Sequence, residues 1–141
     1  MQRLRIKRFN PDVKLPTRTH ETDAGLDLYA PVDFIIPLNR KVRIPSGIGI
    51  ALDQGYVGLI FDRSSTGAAG VRTLGGVIDA NYRGEIGIVL ANVAEPEGLR
   101  FNKGDKIAQL IITNAYTPVV EEVDDFETTD RGDKGFGSSG R

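Results

Sequence analysis

The 141 residues contain no cysteine and a single histidine, His20. The first absence excludes disulfides and thiol chemistry. The second, with His20 in a polar stretch beside Thr17, Thr19 and Thr22, reads as a surface residue and removes histidine triads and zinc sites. There is no apolar run long enough for a transmembrane helix, and no signal-peptide core. Neither sign of charge dominates, with 18 basic and 19 acidic residues. That balance lacks the electrostatic footprint of a nucleic-acid binder. A cytoplasmic protein with no membrane and no nucleic-acid partner is the expectation. The basic start, Arg3 to Arg8, has the charge of a transit peptide. Its alternation with Leu4 and Ile6 reads instead as a strand.

What is present is mostly β pattern. Val42 and Ile44 alternate with charge, and Ile48, Ile50 and Leu52 with small residues. Ile86, Ile88 and Leu90 form a further stripe, as do Ala108, Leu110 and Ile112. Period-2 alternation broken at short intervals by Gly, Pro, Asn or Asp marks strands. The 17 glycines and 7 prolines are too many for a helical protein. One helical turn or two is expected near Ser64–Ala69. Many short strands point to an all-β sandwich, jelly roll or barrel in one domain. The end differs. Glu121 to Asp130 carries six acids and no base, and a glycine-rich tail follows, with Phe136 almost its only apolar residue. Such a tail cannot pack a core by itself, so disorder is its expected resting state.

Five segments can carry chemistry. Gly75-Gly76-Val77-Ile78-Asp79-Ala80-Asn81-Tyr82-Arg83-Gly84 places one carboxylate and one aromatic in a turn bracketed by glycines. A flat ligand can approach bare backbone there. Asp62-Arg63-Ser64-Ser65-Thr66 ends an apolar run and offers a guanidinium, hydroxyls and N–H groups to an anion. It reads equally as a plain N-cap, with Ser64 or Ser65 starting a short helix. Asp27 lies inside the apolar run Ala24–Ala30, where a carboxylate is usually paired or functional. Gln109 is a polar residue in the apolar strand after Gly104. The tail, with Arg131 before its glycines, can cradle phosphate or remain a flexible terminus. It is not a Walker A motif.

Taken together and in order, these segments resemble the trimeric dUTPases. The matching residues are Ala24-Gly25-Leu26-Asp27-Leu28, Arg63-Ser64-Ser65, and Gly76-Val77-Ile78-Asp79 with Tyr82-Arg83-Gly84. Gly104-Asp105-Lys106-Ile107-Ala108-Gln109-Leu110 follows, then Arg131-Gly132 and Gly135-Phe136-Gly137-Ser138-Ser139-Gly140. The resemblance runs from about residue 3 to the C-terminus. It implies a dUTPase-like jelly roll (β-clip type) over residues 1–126, a mobile arm over 127–141, and a homotrimer with active sites at subunit interfaces. The implied reaction is hydrolysis of dUTP to dUMP and pyrophosphate with Mg²⁺, by water attack on the α-phosphorus. That keeps uracil out of DNA and supplies dUMP for thymidylate synthesis.

Carried over residue by residue, the resemblance makes Asp79 the base that activates water. Tyr82 lies under the deoxyribose. Gly76, Val77 and Ile78 read uracil with main-chain groups. Arg63, Ser64 and Ser65 hold phosphates. Asp27 acts on Mg²⁺ through its water shell, as does Gln109. Arg131 takes the γ-phosphate, and Phe136, with Gly137 and Ser138, closes over the base. The chain departs from the family pattern at several positions. Asp62 stands where Pro is common, Asn81 where a second Asp is common, and Lys106 where Arg is common. Gly67–Gly70 lacks the usual Lys. Gly87 interrupts a strand, which marks either close ligand approach or a packing constraint. The dCTP deaminases share the fold but carry a Glu where this chain has Val89, and the complete tail motif also favours dUTPase.

Overall fold

The computed structural model describes residues 3–129 and 132–133. Alternation sets the architecture. Strands β1 (Arg5–Arg8), β2 (Gly25–Tyr29), β3 (Phe34–Ile36), β4 (Lys41–Pro45), β5 (Ile48–Ala51) and β6 (Tyr56–Phe61) precede the only helix among the described residues, α1 (Ser64–Ala68). Strands β7 (Val71–Thr73), β8 (Val77–Ile78), β9 (Gly87–Asn92), β10 (Leu99–Phe101) and β11 (Lys106–Asn114) follow. All strand pairing is antiparallel. One sheet runs β2-β11-β6-β8, a second β4-β9-β7, and β1–β5 and β10–β3 form two-stranded ribbons.

Several strands bury one face. On β9 these are Ile88, Leu90 and Asn92; on β11, Leu110; on β2, Leu26 and Leu28. They meet Ile44, Ile48, Ile50, Ile60, Ile86 and Val71 in a single core. Each fully buried branched side chain contributes about 1.5–3 kcal/mol. Asn92 is the polar exception, and its amide is saturated. Nδ2 donates to the carbonyls of Ile36 (3.0 Å) and Glu95 (2.8 Å), and Oδ1 accepts from the N–H groups of Ala94 (3.2 Å) and Glu95 (2.9 Å).

Two local irregularities position the site. In the β11–β2 ladder, Lys106 pairs with Tyr29 but Ala108 with Leu28, so Ile107 is an extra residue, a β-bulge. Helix α1 begins where expected, but its N-cap is Arg63, not Ser64 or Ser65. An arginine side chain has no acceptor with which to cap. The reason it sits there is Thr66, whose hydroxyl accepts from the Arg63 N–H and donates to the Arg63 carbonyl, both at 3.1 Å. Neither serine hydroxyl is used in capping the helix. Regular structure ends at Asn114. Beyond it Tyr116, Val119, Val120 and Phe126 are exposed.

Candidate functional site

Two pockets gather the predicted residues. The first, of about 450 Å³, is lined by Asp27, Arg63, Ser64, Ser65 and Gln109, with Thr19, Asp23, Ala24 and Gly25 at its edge. Strand register builds it. Gln109 stands directly opposite Asp27 on one side and Phe61 on the other, so β2, β11 and the end of β6 converge.

Asp27 is the electrostatic centre of this pocket, its side chain only 13% exposed. One carboxylate oxygen accepts from Arg63 Nε at 2.8 Å, the other from Lys106 Nζ at 2.6 Å. Partial burial pushes its pKa up. The hydrogen bonds and charges of Lys106 and Arg63 together outweigh burial and hold the carboxyl below the usual aspartate value. Arg63 also donates to Ser65 Oγ at 3.2 Å, which fixes the guanidinium across the pocket. Gln109 Nε2 donates to the Asp62 carbonyl at 2.9 Å, and its Oε1 lies against Gly25. A Cβ at residue 25 would collide with that amide, so any side chain there would push the glutamine out of this position.

The structure settles where Asp62 points. Its Oδ1 accepts from the Thr73 N–H (2.9 Å) and hydroxyl (2.7 Å), and Oδ2 from Arg72 at 3.3 Å. The carboxylate fastens β7 and is not among the groups lining the first pocket. Burial raises its pKa, but the Thr73 hydrogen bonds, with its own N–H and the Arg72 charge, bring it below the ordinary value.

The second pocket, of about 240 Å³, is lined by Gly76, Val77, Ile78, Asp79 and Tyr82, together with Gly87 and Arg43. Here β8 enters a turn built on bare backbone. Gly76 has φ +96°, and a Cβ there would stand 2.8 Å from the Ile60 Cβ. Its carbonyl accepts from the Ile60 N–H at 2.8 Å. Tyr82 folds back over Gly84, where any side chain would clash with the ring, and its hydroxyl donates to the Glu85 carbonyl at 2.9 Å. Arg83 donates to the carbonyls of Ala80 (2.6 Å) and Tyr82 (2.8 Å). The Glu85 carboxylate accepts from the Gly47 N–H at 2.6 Å. The turn is thereby held as a rigid shelf with Asp79 exposed at its edge. Asn81 is exposed too and brings no second charge beside Asp79.

The two pockets share no lining residue within one chain. Arg131, Phe136, Gly137 and Ser138 lie outside the described residues. Sequence reasoning missed Arg43. The available signal was Gly87, whose missing side chain leaves the space that the Arg43 guanidinium occupies. No helix among the described residues is long and apolar enough to cross a membrane.

The chemistry of the first pocket suits an anion with associated hard cation, and that of the second a flat, neutral ligand. Comparison with known proteins names the family. The dUTPase family profile matches residues 11–140. A deoxyuridine 5'-triphosphate nucleotidohydrolase of Rhodococcus erythropolis is 41% identical over 138 residues, covering 96% of this chain and 84% of that protein. A Staphylococcus bacteriophage 80alpha dUTPase, solved as a mutant with dUpNHpp, superposes with a TM-score of 0.90 at 30% identity, covering 100% of both chains. A mutant dUTPase from phage phi11 of S. aureus, described with a structural Mg(II) ion, gives a TM-score of 0.80 at 27% identity, covering 90% of this chain and 100% of that one. With the profile spanning both pockets and the relatives matching nearly end to end, the chain belongs to the dUTPase family.

Proposed function

We propose that this protein is a dUTP diphosphatase, hydrolysing dUTP to dUMP and pyrophosphate. The observation that carries the reading is the division of the site. A cation- and hydroxyl-lined pocket around Asp27 and Arg63 suits a triphosphate, and a glycine-backed shelf carrying Asp79 suits a base and sugar.

Arg63, Ser64 and Ser65 hold phosphate oxygens. Arg63 is pre-oriented by Asp27 and Ser65, so little freedom is lost on binding. Asp79 takes a proton from water, whose oxygen bonds to the α-phosphorus. The bond from that phosphorus to the bridging oxygen breaks, and pyrophosphate leaves. A positioned base contributes about 10²–10⁴-fold. Tyr82, fixed by Glu85, offers a flat surface to the deoxyribose, and main-chain groups of Gly76–Ile78 meet uracil.

The donors present fit Mg²⁺ carried by the substrate rather than caged by protein. Among the described residues no three His, Cys, Asp or Glu side chains cluster, and the first pocket offers the Asp27 carboxylate and the Gln109 amide. Mg²⁺ would supply neutralisation of the phosphate charge, and Asp27 and Gln109 are the residues that would hold it through water.

From membership of the dUTPase family we assign each site to more than one subunit of a homotrimer, with the two pockets, which share no lining residue in one chain, as its halves. Residues 127–141, with Arg131 for the γ-phosphate and Phe136, Gly137 and Ser138 over the base, serve as its closing arm. The test is pyrophosphate release from each common ribo- and deoxyribonucleoside triphosphate with Mg²⁺. Only dUTP should turn over well; preferential turnover of another nucleotide, or ammonia release from dCTP, would sink the reading.

A further inference from the structure

Arg43 lies on the wall of the second pocket, facing the backbone that sequence reasoning singled out. Strand register explains how it gets there. Pro45 pairs with Gly87 and Arg43 with Val89, so Arg43 and Gly87 are diagonal neighbours on the face of the sheet opposite Ile44 and Ile88. Gly87 has no side chain, and the guanidinium fills the gap. Its Nε lies 2.6 Å, and its Cζ and one terminal nitrogen 2.8 Å, from where a Cβ at residue 87 would be. The planar cation is thus seated in the pocket wall. It makes no hydrogen bond or ion pair with the described residues, so among them its five N–H donors have no acceptor.

We infer that Arg43 is a specificity-determining residue for the base. A guanidinium can only donate. It therefore favours a ring position bearing a carbonyl oxygen and disfavours one bearing an amino group. Uracil and cytosine differ at ring position 4 in this respect: uracil presents an acceptor, cytosine a donor. The main chain of Gly76–Ile78 contains both donors and acceptors, and its mix is independent of side-chain identity. Arg43, an exposed side chain on the pocket wall, adds a charged donor whose guanidinium is seated over Gly87. The inference rests on the second pocket being the base site of a dUTP diphosphatase.

The test compares kcat and KM for dUTP and dCTP in the unsubstituted protein, Arg43→Met and Arg43→Lys, each checked by thermal melting and size-exclusion chromatography. A charge-assisted hydrogen bond corresponds to a factor of about ten to a hundred in affinity. Arg43→Met should raise KM for dUTP by that factor with kcat nearly unchanged. It should leave kcat/KM for dCTP unchanged or improved, so the preference for dUTP falls. Arg43→Lys keeps the charge but loses the fork and should lower the preference by less. If Arg43→Met does not fold, Arg43→Lys carries the test. A preference equal to that of the unsubstituted protein, or equal losses on both nucleotides, overturns the inference. Failure of the unsubstituted protein to hydrolyse dUTP would instead overturn the functional reading beneath it.

Discussion

Lys106 and Gln109 are three residues apart on β11, yet both side chains reach the face of Asp27. In a regular strand an odd separation puts two side chains on opposite faces. The bulge at Ile107 supplies the extra residue that turns Lys106 over. Ile107 and Ala108 are consequently both buried, and the charged head of Lys106 closes one side of the Asp27 carboxylate. The phosphate-type pocket depends on this irregularity.

Replacing Asp27 tests that arrangement. Asp27→Asn leaves Lys106 and Arg63 without their shared counter-charge and frees Arg63 to rotate. Stability should fall by about 1–3 kcal/mol, and kcat/KM for dUTP should fall with it. The pH dependence has a definite sign. The folded pKa lies below the unfolded one, so between them the unfolded chain binds more protons. The contribution of Asp27 is complete above the ordinary aspartate value, about 4, and is lost as pH falls through the lower folded value. Urea midpoints measured from pH 6 downward should drop less steeply in Asp27→Asn than in the unsubstituted protein.

Asp62 gives a contrasting result. Its carboxylate satisfies the backbone and hydroxyl of Thr73, so Asp62→Ala should cost about 1–3 kcal/mol and lower Tm by several degrees. Because the carboxylate faces β7, KM for dUTP should change less than about threefold, under the factor of about ten or more that losing a hydrogen bond to a charged phosphate costs. A large KM change with unaltered Tm would place Asp62 in the phosphate site instead.

Gly25 and Gln109 form a matched pair. Gly25→Ala puts a methyl group where the Gln109 amide lies, breaking its bond to the Asp62 carbonyl. Activity should fall at least about tenfold, as expected for losing a positioned polar group. Adding Gln109→Ala to Gly25→Ala should restore Tm, because the clash is gone, but not turnover. Recovery of both would show that Gln109 is only packing.

How far the sequence could be read depends on which interactions are local. Stripes such as Ile86, Ile88 and Leu90 declare a half-buried strand because period 2 is a property of one segment. The helical turn at Ser64–Ala68 was legible for the same reason. Glycines at 76 and 84 marked the shelf, since only a glycine permits the backbone approach found there. Arg43 was not legible. On an alternating strand a charge reads as a solvent-facing residue, and only the β4–β9 register places it in a pocket. The direction of Asp62 was equally hidden, being set by Thr73, eleven residues on. So was the bulge at Ile107, because an extra residue leaves no mark in an apolar run.

Deleting residues 127–141 should leave the melting of the domain nearly unchanged, since regular structure ends at Asn114. It should also reduce kcat/KM for dUTP by at least about tenfold if the arm excludes water and takes the γ-phosphate. Differential scanning fluorimetry and pyrophosphate release on the same preparation separate the two effects. Undiminished turnover would remove Arg131 and Phe136 from the site.

The strongest test of the divided site mixes two impaired chains, assayed at dUTP well below the KM of the Arg63 variant. Asp79→Asn alone should reduce turnover by about 10²–10⁴-fold while dUTP binding, measured by calorimetry, survives. Arg63→Ala should instead raise Kd and KM, because it removes a phosphate contact. If every site lies within one chain, unfolding and refolding a 1:1 mixture of these variants restores nothing, since each chain keeps its own defect. If the Arg63 half and the Asp79 half of a site come from different subunits, random reassortment gives each half an even chance of being intact. About one quarter of sites then carry both, and the mixture should recover about a quarter of the activity of refolded unsubstituted protein. A mixture no more active than its components would return both halves to one chain and overturn the interfacial assignment.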